Sequence, residues 1–296
     1  MCNKSIFIEP LDKVWYNRNW IAKMIFENKI VLFLDRKRRN FNMWTHWHVI
    51  TLLPSIPVYI AIALLVGWLL RKSSEETKMI PVHVITVLIV GLEVAKQVVS
   101  FEGGYDIDDL PLYYCSMFVF LYFFTSVYTG KHKDAVRLLT VVSGITLFVV
   151  MMVFPDVVYS DSAIENAFND FGDFHTVAFH NLVLLGTAFM IVLRPFKFEF
   201  KKGLICCVIF YTIYCFIAAP MSAYLNENFN QFSTSYVDAI EDLRLQMISS
   251  MGSGWGQFCY VMCNMVTTIG FSVLMYLAFS LVVEICIKIA AKKRAR

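Results

Sequence analysis

The sequence predicts an all-α, polytopic bundle of about seven transmembrane helices, and three observations carry that prediction. Composition comes first: 58% of residues are hydrophobic, 17% are charged, and the mean hydropathy is +0.59. Soluble domains are about a quarter charged, so the apolar excess here has to face lipid. Second, seven apolar runs approach or exceed the roughly 20 residues needed to cross about 30 Å of hydrocarbon. Third, positive charge alternates along the segments that join those runs.

The runs are Val49–Leu70, Met79–Ser100, Pro111–Thr129, Val136–Phe154, Phe174–Leu193, Gly203–Tyr224 and Phe258–Ile287. Helices are the economical reading, because a backbone amide in lipid has no water to bond. The last run is long enough to tilt or to project from the bilayer. Many of the 26 Phe, 14 Tyr and 6 Trp lie near run ends, where interfacial aromatic belts form. Together these give a transmembrane domain over residues 48–288 with a basic tail at 289–296.

Loop charge orients the bundle. Segments Arg71–Lys78, Lys131–Arg137, Arg194–Lys202 and Lys288–Arg296 hold 3, 3, 4 and 5 Lys/Arg. Phe101–Leu110 and Pro155–Asp173 hold none, and Leu225–Trp255 holds only Arg244. The positive-inside rule therefore expects the first set, and the C-terminus, in the cytoplasm. The opposite face is expected to be acidic. Residues 1–47 form a separate basic segment with nine Lys/Arg, among them Arg36-Lys37-Arg38-Arg39. Within it, Trp20–Leu34 has the pattern of a helix lying in the interface. No cleavable signal is expected, since only Ser5–Ile8 separates Lys4 from Glu9 and Pro10.

Several function classes fall away. A net charge of +3 gives no reason to expect a nucleic-acid partner. The eight cysteines contain no CxxC pair and no HExxH occurs, so neither a metal site nor another cofactor is expected. Gly252-Ser253-Gly254-Trp255-Gly256 lacks the preceding strand and following GK[ST] of a phosphate loop. It reads as a flexible loop opening the last span. No internal repeat is evident, which argues against an inverted-repeat transporter.

Ionisable groups inside spans are costly and usually functional. His83, near a basic end, reads as structural. Glu93, Lys96 and Gln97 stand at i, i+3 and i+4 and share one helix face, as a packing pair or as a site. By helical rise, Glu93, Lys96, Cys115 and His180 lie at about 6–10 Å below one surface, on three different spans. With Pro111 as a helix start, Cys115 would stand one turn inside a helix N-terminus, where the dipole favours thiolate. His175 and His180 point about 140° apart and make poor co-ligands. Cys259 and Cys263 at i, i+4 read as a packing pair.

The run Leu110-Pro111-Leu112-Tyr113-Tyr114-Cys115 resembles the Leu-Pro-Leu-His-Leu-Cys signature of YwaF-type bacterial integral membrane proteins. Glu93 with Lys96 one helix earlier, and Phe179-His180-Asn181 two helices later, fit the same order. That group is similar to eukaryotic transmembrane protein 164, an acyltransferase of ether phospholipids with an acyl-cysteine intermediate. The resemblance covers most of the chain from about Trp47. It implies that Cys115 is the nucleophile and His180 its partner, with the acyl chain within the bundle. Tyr113 departs from the family's histidine, so a role carried by that histidine would fall to another group. The resemblance also implies a bacterial plasma membrane and a phospholipid or lysophospholipid partner.

Two functions follow. The first is phospholipid acyl transfer, with Glu93, Lys96, Tyr113 and Asn181 binding or orienting the reacting groups. The second is a transporter or receptor whose Glu93–Lys96 pair and acidic mouth take a small cationic or zwitterionic solute.

Overall fold

The computed structural model describes residues 44–159 and 161–294. The basic N-terminal segment, with the helix expected at Trp20–Leu34, therefore lies almost wholly outside the described residues. Ten α-helices follow: α1 His46–Leu69, α2 Glu75–Gly103, α3 Met117–Val127, α4 Lys133–Val153, α5 Pro155–Val158, α6 Asp161–Asn166, α7 Phe171–Leu193, α8 Phe200–Leu225, α9 Asp238–Met251 and α10 Ser253–Arg294. Among the described residues there is no strand. Six of these helices (α1, α2, α4, α7, α8 and α10) are long and apolar enough to cross a membrane, and α3 is a shorter apolar helix. This is the expected all-α polytopic bundle of about seven spans.

Local chemistry sets the ends. Ser74 caps α2 by accepting from the Thr77 amide at 3.3 Å, and Glu75 and Glu76 fill the first turn where the helix dipole favours anions. Asp170 caps α7 by accepting from the Asp173 amide at 3.0 Å. Arg194 and Asn226 close α7 and α8 in the left-handed conformation.

The core sits on α4 and α7. Buried residues make up 61% of the apolar window of α4 but 11% of that of α1, so α4 is central and α1 is lipid-facing. Helix α7 packs against α1, α2 and α4, and α8 against α4 and α10. Small residues let backbones approach: a Cβ on Gly144 would run into Thr187, and one on Gly186 into the Tyr122 ring. At one end Arg137, buried, bonds Glu75 at 2.6 Å and also the carbonyl of Pro195. That tie joins the starts of α2 and α4 to the α7–α8 turn.

Two expectations need correction. The third span does not begin as helix at Pro111; α3 starts at Met117 after a chain of turns. Aromatic hydroxyls hold that lead-in open. Tyr214 donates to the Leu112 carbonyl at 2.9 Å, Tyr113 to Asp108 at 2.8 Å, and Tyr114 pairs with Tyr211 at 3.0 Å. Eleven residues of α3 rise about 16 Å, only half the hydrocarbon thickness. Irregular backbone persists at membrane depth only where protein satisfies it, as Tyr214 does here. Nor is residues 252–256 a flexible loop. Gly252 turns at φ 84°, α10 begins at Ser253, and Gly256 lies against the backbone of Ile248. The result is a tight α9–α10 hairpin, locked by Arg244 on Glu241 and Gln257.

Candidate functional site

Helix spacing places Glu93, Lys96 and Gln97 on one face of α2, and α7 lies alongside. Glu93 is buried at 6% exposure, and its carboxylate gathers three partners. Gln97 donates to Oε1 at 3.0 Å, Lys96 Nζ stands 3.5 Å from the same oxygen, and His175 Nε2 stands 3.4 Å from Oε2. Among the described residues neither Glu93 Oε2 nor His175 Nε2 has a hydrogen-bond partner, and the two buried atoms stand 3.4 Å apart. His175 stacks on Phe179 with centroids 5.4 Å apart. The cluster continues outward: Gln97 also donates to the Asp109 carbonyl at 2.7 Å and accepts from Tyr105 at 2.9 Å. Lys96 lies 3.8 Å from the Asp109 carboxylate.

Cys115 sits in the turn immediately before Ser116, the residue that caps α3, and is half-buried. It is therefore at the edge of a helix N-terminus rather than one turn inside. Its carbonyl accepts from the Phe118 amide at 3.1 Å. The Lys96 ammonium and the Tyr214 phenol are within electrostatic reach of the thiol. Tyr113, two residues earlier, points away from this sulfur to Asp108 and stacks edge-on with Phe229 at 5.3 Å.

His180 belongs to a neighbouring cluster. It is buried, and its Nδ1–H donates to the Thr176 carbonyl at 2.6 Å, which leaves Nε2 as the basic nitrogen. Its ring meets Tyr159 edge-on at 5.4 Å. His48 fixes Tyr159 from the other side by donating to its carbonyl at 2.8 Å. Asn181 accepts from Tyr59 at 2.6 Å and donates to the Val177 carbonyl at 2.8 Å. The Tyr159 hydroxyl is buried without a hydrogen-bond partner.

The structure thus joins Glu93 to Lys96 directly and brings Cys115 within reach of Lys96. Among the described residues no hydrogen bond joins Cys115 to His180; His175, a member of the Glu93 cluster, is within electrostatic reach of His180. Helical spacing does not single out His175, which shares no face with His180. The signal that finds it is a different one, an acid at matched depth on another span. Outside the spans, Asp108 presses on Glu227 and raises that carboxyl above its ordinary range, with Asp106 adding to the push. Among the described residues no three His, Cys, Asp or Glu side chains group as a metal site would need.

Fold and site define the class: a polytopic helical integral membrane protein whose buried charged cluster lies toward one end of its spans. The model of the TMEM164 family matches residues 43–276, and the chain belongs to that family. No curated protein and no solved structure matches it.

Proposed function

We propose that the protein is a cysteine-dependent acyltransferase acting on phospholipid acyl chains through an acyl-cysteine intermediate. The observation that carries this reading is Cys115 itself. Unlike Cys206, Cys207 and Cys215 inside α8, it lies in irregular backbone at a helix N-terminus with a lysine in electrostatic reach. Membership of the family supports it.

Two half-reactions balance. The Cys115 thiolate attacks the ester carbonyl of a phospholipid, the S–C bond forms, and the C–O bond to glycerol breaks. The proton lost by the thiol passes to the open Nε2 of His180 and on to the leaving alkoxide, giving lysophospholipid. An acceptor hydroxyl then attacks the thioester carbonyl, a new C–O bond forms, the C–S bond breaks, and the hydroxyl's proton passes through the same histidine to sulfur, restoring the thiol. In this scheme Lys96 stabilises negative charge at sulfur, and Glu93 holds His175 and Lys96 in place. Asn181 orients Tyr59 beside His180, and Tyr113 fixes Asp108 at the mouth.

The test is incubation with labelled phospholipid, followed by intact-protein mass and lipid product analysis. Wild type should carry an acyl adduct that Cys115→Ser lacks, and His180→Ala should lose on the order of 10²–10⁴ in rate. Cys259 and Cys263 substitutions should leave the rate unchanged. Full transfer by Cys115→Ser overturns the reading. In its place would stand the second one, a transporter or receptor for a small cationic or zwitterionic solute. That alternative is favoured by the acidic rim of Asp106, Asp108 and Glu227 above the Glu93–Lys96 pair.

The same proposal places the chain in a bacterial plasma membrane, akin to YwaF-type proteins, with its C-terminus cytoplasmic. A tag after Arg296 should resist external protease in intact cells, while a cleavage site near Asp161 should be cut. The reverse pattern refutes the orientation.

A further inference from the structure

A stripe runs down α7 from the site: Asn181, Leu184, Ala188 and Ile191 fall at i, i+3, i+7 and i+10, on one helix face. Leu184, Ala188 and Ile191 line a cavity of ≈160 Å³ that opens sideways from the bundle, and Tyr59 of α1 and Phe148 of α4 complete its walls. Its lining is almost wholly apolar. Gly144 forms the floor, where α4 comes so close to α7 that a Cβ would run into Thr187. Between Leu184 and Ile191 the stripe is about 10 Å long at 1.5 Å per residue. The polar groups stand at one end, where Tyr59 donates to Asn181, the chain neighbour of buried His180.

We propose that this groove binds one acyl chain of a membrane phospholipid, carbonyl end at Tyr59–Asn181 and methyl end toward Ile191. The proposal rests on the acyl-transfer reading and adds where the transferred chain lies. Three features select this occupant. The groove lies on helices that cross the membrane, so what meets it sideways is lipid. Its volume of ≈160 Å³ along a stripe of about 10 Å suits part of one unbranched chain rather than a helix. Its end at Tyr59 meets Asn181, the chain neighbour of buried His180, so a chain lying in it brings its ester toward that histidine. Binding of this kind gains nothing from water exclusion, because the chain leaves one apolar medium for another. It is set by shape, and filling the groove should therefore abolish it.

The experiment places Cys115→Ser protein in nanodiscs of phospholipid doped with phosphatidylcholine bearing a diazirine on one acyl chain, either near the carbonyl or near the methyl end. After photolysis, adducts are mapped by peptide mass spectrometry. The expected result is preferential labelling of groove residues, near Tyr59 for the carbonyl-proximal probe and near Ile191 for the distal one. Ala188→Trp, which fills the groove, should lower that labelling at least tenfold. Phe148→Ala, which widens it, should retain it and thereby controls for a variant that fails to fold. Even labelling over all lipid-facing residues, a reversed gradient, or full labelling in a folded Ala188→Trp overturns the proposal. Labelling needs no turnover, so the two readings fail separately. A mapped groove with no acyl-cysteine in wild type removes the chemistry and keeps the site. An acyl-cysteine that forms at the wild-type rate in Ala188→Trp removes the site and keeps the chemistry.

Discussion

Glu93→Leu tests whether the charged cluster is one coupled unit. Glu93 and Lys96 are 3.5 Å apart with side chains 7% and 15% exposed. At an effective dielectric of about 20 their gross attraction is roughly 5 kcal/mol, much of it offset by desolvation. Removing the carboxylate strips a partner from Lys96, Gln97 and His175 at once, and Lys96 keeps only Asp109 at 3.8 Å. Breaking one side of a buried pair costs about 3–5 kcal/mol, and Asp109 puts the expectation at the low end. Lys96→Met should cost less, because Glu93 retains its contacts with Gln97 and His175. In Glu93→Leu/Lys96→Met the orphaned ammonium disappears, so part of the loss returns as a coupling energy of about 1–3 kcal/mol. Equilibrium unfolding in mixed detergent and SDS micelles measures all four corners of the cycle. Interhelical hydrogen bonds in membranes average about 0.6 kcal/mol of coupling, so a charge cluster has to exceed that to be distinguished. Additivity within about 0.5 kcal/mol, or Glu93→Leu as stable as wild type, refutes a coupled cluster.

Two further outcomes are expected. Glu227 is raised by Asp108, so its folded pKa lies above its unfolded value, and the contact is favoured at low pH and lost as pH rises through the folded pKa. Protection factors over residues 226–237, corrected for the intrinsic pH dependence of exchange, should therefore rise on acidification from neutral pH, and Glu227→Gln should flatten that rise; protection factors that do not change with pH refute the shared proton. Tyr159→Phe removes a buried hydroxyl that has no partner, so stability should stay level or rise by about 1 kcal/mol, read as thermal midpoint; a loss above about 1 kcal/mol means the hydroxyl is bonded after all.

The spans were legible because hydropathy and length are one-dimensional properties. The fifth apolar run, Phe174–Leu193, becomes Phe171–Leu193, gaining only the polar turn that Asp170 caps. The Glu93–Lys96 contact was legible for a similar reason, since i, i+3 spacing alone sets it. What could not be read are features made by distant partners. Pro111 looks like a helix start, yet Tyr214, some hundred positions away, takes the Leu112 carbonyl and holds the lead-in out of helical geometry. The glycines after α9 look like slack until Gly256 is seen against Ile248. His175 was set aside because only the rotation of α7 against α2 shows that it faces Glu93.

The two buried charged centres of the bundle differ in a way that separates scaffold from site. At Arg137 one guanidinium gathers an acid and a carbonyl, while its buried Nε finds no hydrogen-bond partner among the described residues. Glu75 neutralises it at 2.6 Å, Lys133 shares that acid at 2.8 Å, and the Pro195 carbonyl takes a further N–H. Two of these contacts join the starts of α4 and α2 and the third reaches the α7–α8 turn, which is the work of a structural tie. At Glu93 three donors of different kinds (an ammonium, an amide and an imidazole) converge on one carboxylate, and the imidazole contact is long at 3.4 Å with no other partner on either atom. Cys115 lies within reach of the same lysine, and the irregular backbone that carries it is held by Tyr214 rather than by a helix ladder. The long helices thus cross the membrane, while the irregular lead-in before α3 carries Cys115 within electrostatic reach of the lysine of the Glu93 cluster.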